Sequence, residues 1–336
     1  MNPGQVRPGA TPVGACAAPA KPTDPADSRD RTRESGRATA RSLSTRRLRS
    51  GYGRRTVVDG VDITVPTGAI TVIVGANACG KSTLLKTMAR ILAPASGSVL
   101  LDGRDVTTIP TKRLATRLGL LPQQPIAPEG IVVADLVGRA RHPHQGLFRS
   151  ASATDRRIVE EALLATNTAQ LADRSVDELS GGQRQRVWIA MALAQRTDVL
   201  LLDEPTTFLD LTHQVEVLDL LTDLNRERGT TIVMVLHDIN LAARYADHVI
   251  AMREGRVVAA GAPGQVVSPG LMREVFGLEA EVITDPVSDT PLVLPKGRHH
   301  VVGAEDSGHD AHAAGGAVTA HATPLLSQVP AAGDNT

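Results

Sequence analysis

Aromatic residues, cysteines and long uncharged stretches are all scarce in this sequence. Aromatic residues make up 2% of its 336 residues, so a hydrophobic core must be built from Ala, Val, Leu and Ile. The two cysteines are Cys16, in a Pro- and Ala-rich region, and Cys79, in a glycine-rich loop. We expect no disulfide between them, and this usage suits a reducing cytoplasm.

Membrane spans, secretion and nucleic-acid binding are all disfavoured. The apolar, uncharged run at residues 63–80 is broken by Pro66, Gly68 and Asn77, so we expect no transmembrane helix. The N-terminus lacks the apolar centre of a signal peptide. The 36 basic and 36 acidic residues cancel, which argues against a generally basic protein, and we expect no nucleic-acid partner.

Both ends of the chain have compositions typical of disordered segments. Residues 1–42 are rich in Pro, Ala, Arg, Ser and Thr and predict a disordered tail. Residues 28–55 hold ten arginines against two acids, a net charge of +8, which fits a solvated arm or attraction to an anionic membrane surface. Residues 296–336 predict a second disordered tail, whose irregularly spaced histidines favour solvated side chains over a metal site.

The region between residues 43 and 295 has the pattern of a folded α/β domain. Apolar runs bounded by turn residues predict four strands, at 70–74, 199–202, 231–236 and 248–252. Three of them precede predicted helices, at 81–91, 213–226 and 239–246. This alternation indicates a mostly parallel sheet covered on both faces. Residues 125–180 interrupt it and read as a helical insertion, with a helix at 155–166.

The segment GANACGKST, residues 75–83, carries the strongest local signal. It fits the pattern G-x-x-x-x-G-K-[ST], follows a predicted strand and opens a predicted helix. Such a loop turns its backbone N–H groups towards phosphate oxygens, and the helix N-terminus adds positive potential. Lys81 would contact the β- and γ-phosphates, and the Ser82 hydroxyl would ligate Mg²⁺. The alternative is a glycine turn that only caps a helix. In either case Cys79 is interpreted as a small loop residue.

The segment VLLLDEPTTFLD, residues 199–210, places two carboxylates after a buried strand. Asp203 stands at the carboxyl end of that strand, the edge at which ligands bind in open α/β sheets. We expect Asp203 to belong to the Mg²⁺ shell and Glu204, which projects differently, to polarise the attacking water. Taken alone, the two residues fit an ordinary turn equally well.

A third motif, LSGGQRQR at residues 179–186, precedes a helix-like run. Ser180 with Gly181 and Gly182 forms a second small-residue anion nest at a helix N-terminus. By itself this is a capped helix preceded by glycine. Combined with a phosphate loop and an acidic strand end, it indicates a specific class of nucleotide-hydrolysing protein.

These three motifs resemble the ABC ATPase family over about residues 43–295. The resemblance implies a P-loop NTPase fold of α/β class, with a RecA-like parallel-sheet core, an antiparallel β subdomain and a helical subdomain at about 125–185. It assigns an adenine-stacking role to Tyr52, a switch role at the γ-phosphate to His237, and a place in the loop after the acidic strand to Asp210. Gln123 matches the glutamine that joins core and helical subdomain, although adjacent Gln124 leaves the register open.

The resemblance implies ATP and Mg²⁺ as cofactors and the following site. Catalysis falls to Glu204 and His237, and Mg²⁺ to Ser82, Gln123 and Asp203. The nucleotide is expected to contact Tyr52, Gly75, Asn77, Gly80, Lys81, Ser82, Thr83, Gln123, Ser180, Gly181, Gly182, Gln183 and Asp210. One departure is Ala76, where relatives commonly have Pro, and we expect it to do little damage.

The resemblance also implies partners. The phosphate loop of one copy would face the LSGGQ motif of a second, so that a head-to-tail dimer sandwiches two ATP molecules. A separate membrane permease, and indirectly a substrate-binding protein, would complete an importer, with this chain on the cytoplasmic face of the membrane as a peripheral subunit.

Three stretches look like the ATPase subunits of ferric siderophore, haem or cobalamin importers, with siderophores the closest match. They are GRARHPHQ (138–145), DEPTTFLD (203–210) and DPVSDTPLVLP (285–295). The other interpretations are a haem or cobalamin importer, or an ABC ATPase without a transport role. A non-transport member acting on DNA or ribosomes would need a coiled-coil insertion, zinc-binding cysteines or a second cassette, none of which the sequence contains.

Overall fold

The computed structural model describes residues 41–145, 152–297 and 299. The disordered tails predicted for residues 1–42 and 296–336 lie almost wholly outside this part. Arg41, its first residue, pairs with Asp102 at 2.8 Å and with Asp198 at 3.0 Å. Specific contacts of the folded region therefore begin two residues before the predicted start at 43.

The described part of the chain contains twelve strands in three sheets. In chain order they are β1 (Leu43–Tyr52), β2 (Arg55–Val65), β3 (Ile70–Gly75), β4 (Ser96–Leu101), β5 (Arg104–Asp105), β6 (Leu118–Leu121), β7 (Val199–Asp203), β8 (Thr231–Val235), β9 (His248–Arg253), β10 (Arg256–Gly261), β11 (Ala280–Thr284) and β12 (Pro291–Pro295). They form a large sheet of order β10-β9-β3-β8-β7-β6, a smaller one of order β2-β1-β4-β5, and the hairpin β11-β12.

The large sheet is parallel apart from β10, which pairs antiparallel with β9. Its central strands β3, β7 and β8 are buried along their whole length, as continuous apolar runs predict for strands covered on both faces. Since all these strands run in one direction, the loops that follow β3, β6, β7 and β8 emerge at the same edge. That edge carries the motifs of the sequence.

The smaller sheet is antiparallel, and its strands are not among those that the apolar runs predict. Strands β1 and β2 pair with register shifts on both sides of Leu48 and again at Ser50. Each shift interrupts the two-residue alternation of inward and outward side chains by which a half-buried strand is recognised. The antiparallel subdomain was therefore expected from the family resemblance and not from the hydrophobic pattern.

The helices cover the sheets and build the segment between β6 and β7. In chain order those described are α1 (Lys81–Met88), α2 (Thr111–Ala115), α3 (Val133–Arg139), α4 (Ala153–Ala165), α5 (Gly181–Ala194), α6 (Leu211–Arg228), α7 (Ile239–Tyr245), α8 (Pro263–Val266) and α9 (Pro269–Phe276). Helices α3, α4 and α5 pack on one another, which agrees with the helical character predicted for that segment.

The largest differences between the predicted and the observed helices are those of α1 and α6. The helix predicted at 81–91 ends at Met88, because Arg90 adopts the left-handed conformation with φ of 58° and cannot continue it. The helix predicted at 213–226 begins two residues earlier and continues to Arg228, where Gly229 terminates it with φ of 69°. Neither difference moves a motif.

The hydrophobic core lies in two main layers on opposite faces of the large sheet. Strand β3 contributes to both: Ile70, Val72 and Val74 point into the layer shared with α5 and α6, and Ile73 points into the layer shared with the antiparallel sheet and α1. This double anchoring holds the loop after β3 on a rigid base. Among the described helices, not one combines the length and the apolar character needed to cross a bilayer.

Candidate functional site

The loop after β3 contains several positions at which the backbone conformation or the available space favours small residues. Gly75 has φ of 151°, and a Cβ there would lie 2.3 Å from the carbonyl oxygen of Met252. Gly80 caps α1 with φ of 108°. Ala78 adopts φ of 60°, a strained value for a residue with a side chain. The backbone thus curls tightly between strand and helix, as an anion-binding nest requires.

Lys81 closes this loop from inside. Its side chain is 5% exposed, and Nζ donates hydrogen bonds to the carbonyl oxygens of Gly75 (2.8 Å) and Ala76 (3.0 Å). A buried ammonium requires such partners, because an isolated buried charge is costly. The charge is therefore held under the loop that the sequence assigns to the phosphates, while Asn77 above it is exposed.

The neighbouring Cys79 anchors the loop and shows no sign of reactivity. Its carbonyl oxygen accepts a hydrogen bond from Gly255 N at 2.9 Å, which ties the loop to the turn between β9 and β10. The thiol is free and buried, and burial raises its pKa. This supports the interpretation of Cys79 as a small loop residue.

Ser82 and Asp203 form the part of the site that suits a divalent cation. Ser82 Oγ donates to Asp203 Oδ1 at 2.9 Å, and Asp203 is 1% exposed. Its other oxygen, Oδ2, is buried without a hydrogen-bond partner in the described part of the chain. Burial, more than the neighbouring Glu204 carboxylate, raises the pKa of Asp203. A carboxylate and a hydroxyl are ligands that Mg²⁺ prefers, so these residues fit the expected metal.

Glu204 adopts the left-handed conformation, with φ of 55°, and is 7% exposed. Its Oε1 lies 2.6 Å from His237 Nε2, while Oε2 accepts hydrogen bonds from Gln123 Nε2 (2.6 Å) and Thr207 Oγ1 (3.2 Å). Gln123, Glu204 and His237 follow β6, β7 and β8, three neighbouring parallel strands. The strand order, rather than any sequence spacing, brings them together at one edge.

Gln123 makes a contact that the resemblance does not imply. The resemblance assigns it to Mg²⁺ with Asp203, whereas here its amide nitrogen donates to Glu204. Thr207 was not among the residues expected at the site. The sequence offers two adjacent threonines after Pro205, and only the geometry of the turn distinguishes which hydroxyl faces Glu204.

The LSGGQ motif forms the N-terminus of α5. Ser180 Oγ accepts from Gln183 N at 3.3 Å, and Gln183 Oε1 accepts from Ser180 N at 3.1 Å, a reciprocal capping box. A Cβ on Gly182 would meet Leu209 at 3.6 Å, so this end of the helix packs on the loop after β7. Within the described residues no hydrogen bond joins segment 179–186 to the phosphate loop.

The remaining expected residues lie at the ends of elements. Asp210 caps α6: its Oδ1 accepts from His213 N at 3.0 Å and lies 2.7 Å from His213 Nδ1. The hydrogen bonds with His213 hold the pKa of Asp210 below its usual value. Tyr52 ends β1 with its side chain 52% exposed, and two residues earlier Ser50 Oγ accepts from Thr87 Oγ1 of α1 at 2.9 Å. Thr83, by contrast, is buried.

The chain is similar to known proteins in sequence and in fold. The sequence profile of the ABC transporter family matches residues 58–207. The achromobactin transport ATP-binding protein CbrD of Dickeya dadantii is 52% identical over 76% of this chain and 96% of its own length. The ferric enterobactin transport ATP-binding protein FepC of Escherichia coli is 51% identical over 76% and 94%. A bacterial ABC transporter cassette solved as a dimer matches with a TM-score of 0.60 and 28% identity, covering 66% of this chain and 98% of that one.

Proposed function

This chain belongs to the ABC transporter family as an ATP-binding ATPase protein, and we propose that it powers the import of an iron–siderophore complex through a separate membrane permease. The observation that carries the proposal is the convergence of Ser82, Asp203, Glu204 and His237 at the edge of the sheet where the phosphate loop emerges. These residues supply the parts that phosphoryl transfer to water requires.

The metal part of the proposal rests on Ser82 and Asp203. Asp203 Oδ2 is a buried acceptor without a partner in the described chain, which Mg²⁺ would satisfy. When bound with ATP, Mg²⁺ neutralises charge on the phosphate oxygens. Asp203 would then stay ionised despite its burial, because a cation opposes the effect of desolvation.

The catalytic part rests on Glu204 and His237. Glu204 is proposed to accept a hydrogen bond from the attacking water and so to act as general base, with His237 holding that water and the γ-phosphate in line. In this structure His237 and Gln123 contact the two carboxylate oxygens of Glu204. For the role of general base, one of these oxygens must turn towards the attacking water. Lys81, whose hydrogen bonds go to Gly75 and Ala76 here, would turn its ammonium to the phosphates.

A second copy of this chain is proposed to complete each site. The Ser180 nest makes no hydrogen bond to the phosphate loop of its own chain in the described residues, so it is available to another. Two chains arranged head to tail would place each nest over the nucleotide of the other. A related bacterial ABC transporter cassette was solved as a dimer, which supports the formation of a dimer by this chain.

The permease is proposed to dock beside the helical segment. A groove of about 360 Å³ opens between α2, α3 and α5, bounded by Ile91, Leu114, Pro143 and Met191. Ile91 is an exposed apolar side chain at its rim, which a partner would cover. Such docking would hold this chain at the cytoplasmic face of the membrane as a peripheral subunit, with a substrate-binding protein acting on the far side.

The cargo is inferred from relatives, because cargo itself would not touch this subunit. Two proteins about half identical to this chain are named for achromobactin and ferric enterobactin transport. Both names belong to those proteins. A siderophore cargo for this chain is therefore proposed by similarity over nearly the whole length of each relative.

The test is reconstitution of the complete transporter. The chain is purified with its cognate permease and binding protein and placed in lipid vesicles. ATP hydrolysis is then assayed with the binding protein loaded with ferric siderophore, haem or cobalamin. We expect stimulation by ferric siderophore and its loss in Lys81→Ala. If only haem or only cobalamin stimulated hydrolysis, that compound would replace the siderophore as the proposed cargo. Absence of ATP hydrolysis would overturn the proposal.

A further inference from the structure

The carboxylate of Glu204 is held by three side chains from three parts of the chain. His237 Nε2 contacts Oε1 at 2.6 Å, and Gln123 Nε2 and Thr207 Oγ1 both contact Oε2, at 2.6 and 3.2 Å. Because Glu204 is buried, the orientation of its carboxylate depends on these contacts.

The three contacts differ in how independent they are of Glu204. Gln123 and His237 reach it from the loops after β6 and β8, 81 and 33 positions away in the sequence, so their contacts depend on how those loops are arranged. Thr207 belongs to the turn that Glu204 itself begins, in which Thr207 N donates to the Glu204 carbonyl oxygen at 3.2 Å. Its contact with Glu204 therefore lies within one turn and does not depend on the arrangement of the other two loops.

The backbone of Glu204 adds a second reason for a local restraint. Its φ of 55° lies in the left-handed region, which is unfavourable for a residue with a long side chain. A strained residue persists only where its surroundings determine its conformation. The backbone and side-chain hydrogen bonds of Thr207 are two such restraints, one on each end of the glutamate.

Thr206 provides a contrast within the same turn. Its carbonyl oxygen accepts from Leu209 N at 3.3 Å, but its hydroxyl makes no hydrogen bond in the described part of the chain. Both threonines are partly buried. The two residues therefore have the same side chain, lie in the same turn and are both partly buried. They differ in whether the hydroxyl reaches Glu204.

We infer that Thr207 is a positioning residue for ATP hydrolysis, whose hydroxyl orients the Glu204 carboxylate towards the attacking water. The inference rests on the proposed role of Glu204 as general base. Gln123 and His237 have other expected partners in the nucleotide-bound state, whereas Thr207 belongs to the turn that Glu204 begins. Its hydrogen bond is the contact with the Glu204 carboxylate that comes from the same turn.

The test compares isosteric substitutions in the reconstituted transporter. Thr207→Val replaces the hydroxyl by a methyl group, and we expect kcat to fall roughly 10–100-fold, as misplacement of a catalytic group does, with KM within about twofold. Thr207→Ser restores the hydroxyl and should recover kcat to within about threefold. Thr206→Val is the matched control and should keep the parental kcat and KM.

A double variant distinguishes action through Glu204 from a general effect on the site. In the Glu204→Gln background, Thr207→Val should lower the residual rate by less than about twofold, because residues that act as a unit are not additive. A full further decrease would overturn the inference. So would a parental kcat in Thr207→Val. Should the valine variant fail to fold, Thr207→Ala must give the same loss of kcat, and parental kcat there would also refute the inference.

These outcomes are separate from failure of the proposed function. If Glu204→Gln lowers hydrolysis and Thr207→Val does not, the positioning role of Thr207 is wrong and the proposed function stands. If Glu204→Gln itself hydrolyses ATP at the parental rate, the proposed catalytic role of Glu204 fails, and the role of Thr207 fails with it.

Discussion

His237 Nε2 lies 2.6 Å from Glu204 Oε1, and the two residues leave neighbouring parallel strands at one edge of the sheet. Only one member of the pair is accessible to solvent: Glu204 is buried, while the His237 side chain is 48% exposed. A buried base with a partner at the solvent side can be uncovered by movement of that partner. This relationship leads to the first prediction.

Glu204→Gln should keep the shape of the site and remove most of its basicity. Since general-base assistance is typically worth about 10²–10⁴-fold, hydrolysis should fall by that factor while ATP still binds. Binding without turnover should also accumulate an ATP-dependent dimer, measurable by size-exclusion chromatography with light scattering. Parental turnover in the presence of the permease would contradict the composite-site mechanism.

Tyr52→Ala should weaken ATP binding, whereas Tyr52→Phe should leave it nearly unchanged. The ring is half exposed at the end of β1, and stacking of a base on an aromatic side chain is worth about 1–3 kcal/mol. The phenol oxygen is not needed for stacking, so the phenylalanine variant is the matched control. Calorimetric affinities equal for all three proteins would remove Tyr52 from the nucleotide site.

Ser180→Arg should prevent ATP-dependent dimer formation in the Glu204→Gln background while each monomer still binds ATP. Ser180 caps α5, so loss of the cap alone would cost about 1 kcal/mol. Ser180→Ala loses the same cap without adding bulk and should retain some dimer. Light scattering distinguishes the two, and a full dimer signal from the arginine variant would argue against a shared site.

Gly75→Ala should destabilise the protein by about 2–4 kcal/mol, as overpacking with backbone strain does. The added Cβ would lie 2.3 Å from the Met252 carbonyl oxygen and 2.8 Å from Cys79 Sγ, at φ of 151°. Gly138→Ala in α3 is the control: nothing lies within 4 Å, and alanine should raise stability by about 0.5–1 kcal/mol. Urea denaturation measures both, and similar values for the two variants would disprove the steric argument.

Asp155→Asn should lower stability at neutral pH by about 3 kcal/mol, because it leaves the nearly buried Arg141 without its charge partner. Burial alone would raise the pKa of Asp155, but hydrogen bonds from Arg141 and Ser152 together outweigh it and lower the pKa below 3.8. The contribution is therefore present above pH 3.8 and is lost as pH falls through the lowered pKa.

Two measurements check this prediction. The difference in unfolding free energy between the parent and Asp155→Asn should be constant from pH 7 to about pH 5 and shrink below pH 3.8. Asp173→Asn, an exposed acid with no hydrogen bond from its side chain in the described residues, should change stability by less than about 0.5 kcal/mol. If the difference in unfolding free energy between the parent and Asp155→Asn increased as the pH fell, the predicted direction of the pH dependence would be wrong.

The sequence was informative wherever function is encoded in adjacent residues. The phosphate loop needs glycines, a lysine and a hydroxyl within nine positions, and residues 75–83 present them between a strand and a helix, as the structure has them. The buried strands β7 and β8 were likewise predicted, because both their faces are apolar. In each case the determining interactions are local.

The sequence was less informative where long-range pairing decides. The strands of the antiparallel sheet were not located individually, since shifts of register break their alternation. The contacts that Gln123 and Thr207 make with the Glu204 carboxylate were not anticipated. Side-chain direction within a turn depends on backbone dihedrals, such as the left-handed φ of Glu204, that residue identity does not predict.

By itself the sequence therefore determined which chemical groups the protein has, their order, and the family to which it belongs, because these reside in short contiguous motifs. The tertiary structure alone decided which of those groups meet. Gln123, Glu204 and His237 come into contact because β6, β7 and β8 lie side by side and parallel, so their carboxyl ends share one edge. Strand order is set by packing over the whole domain, and no local pattern encodes it.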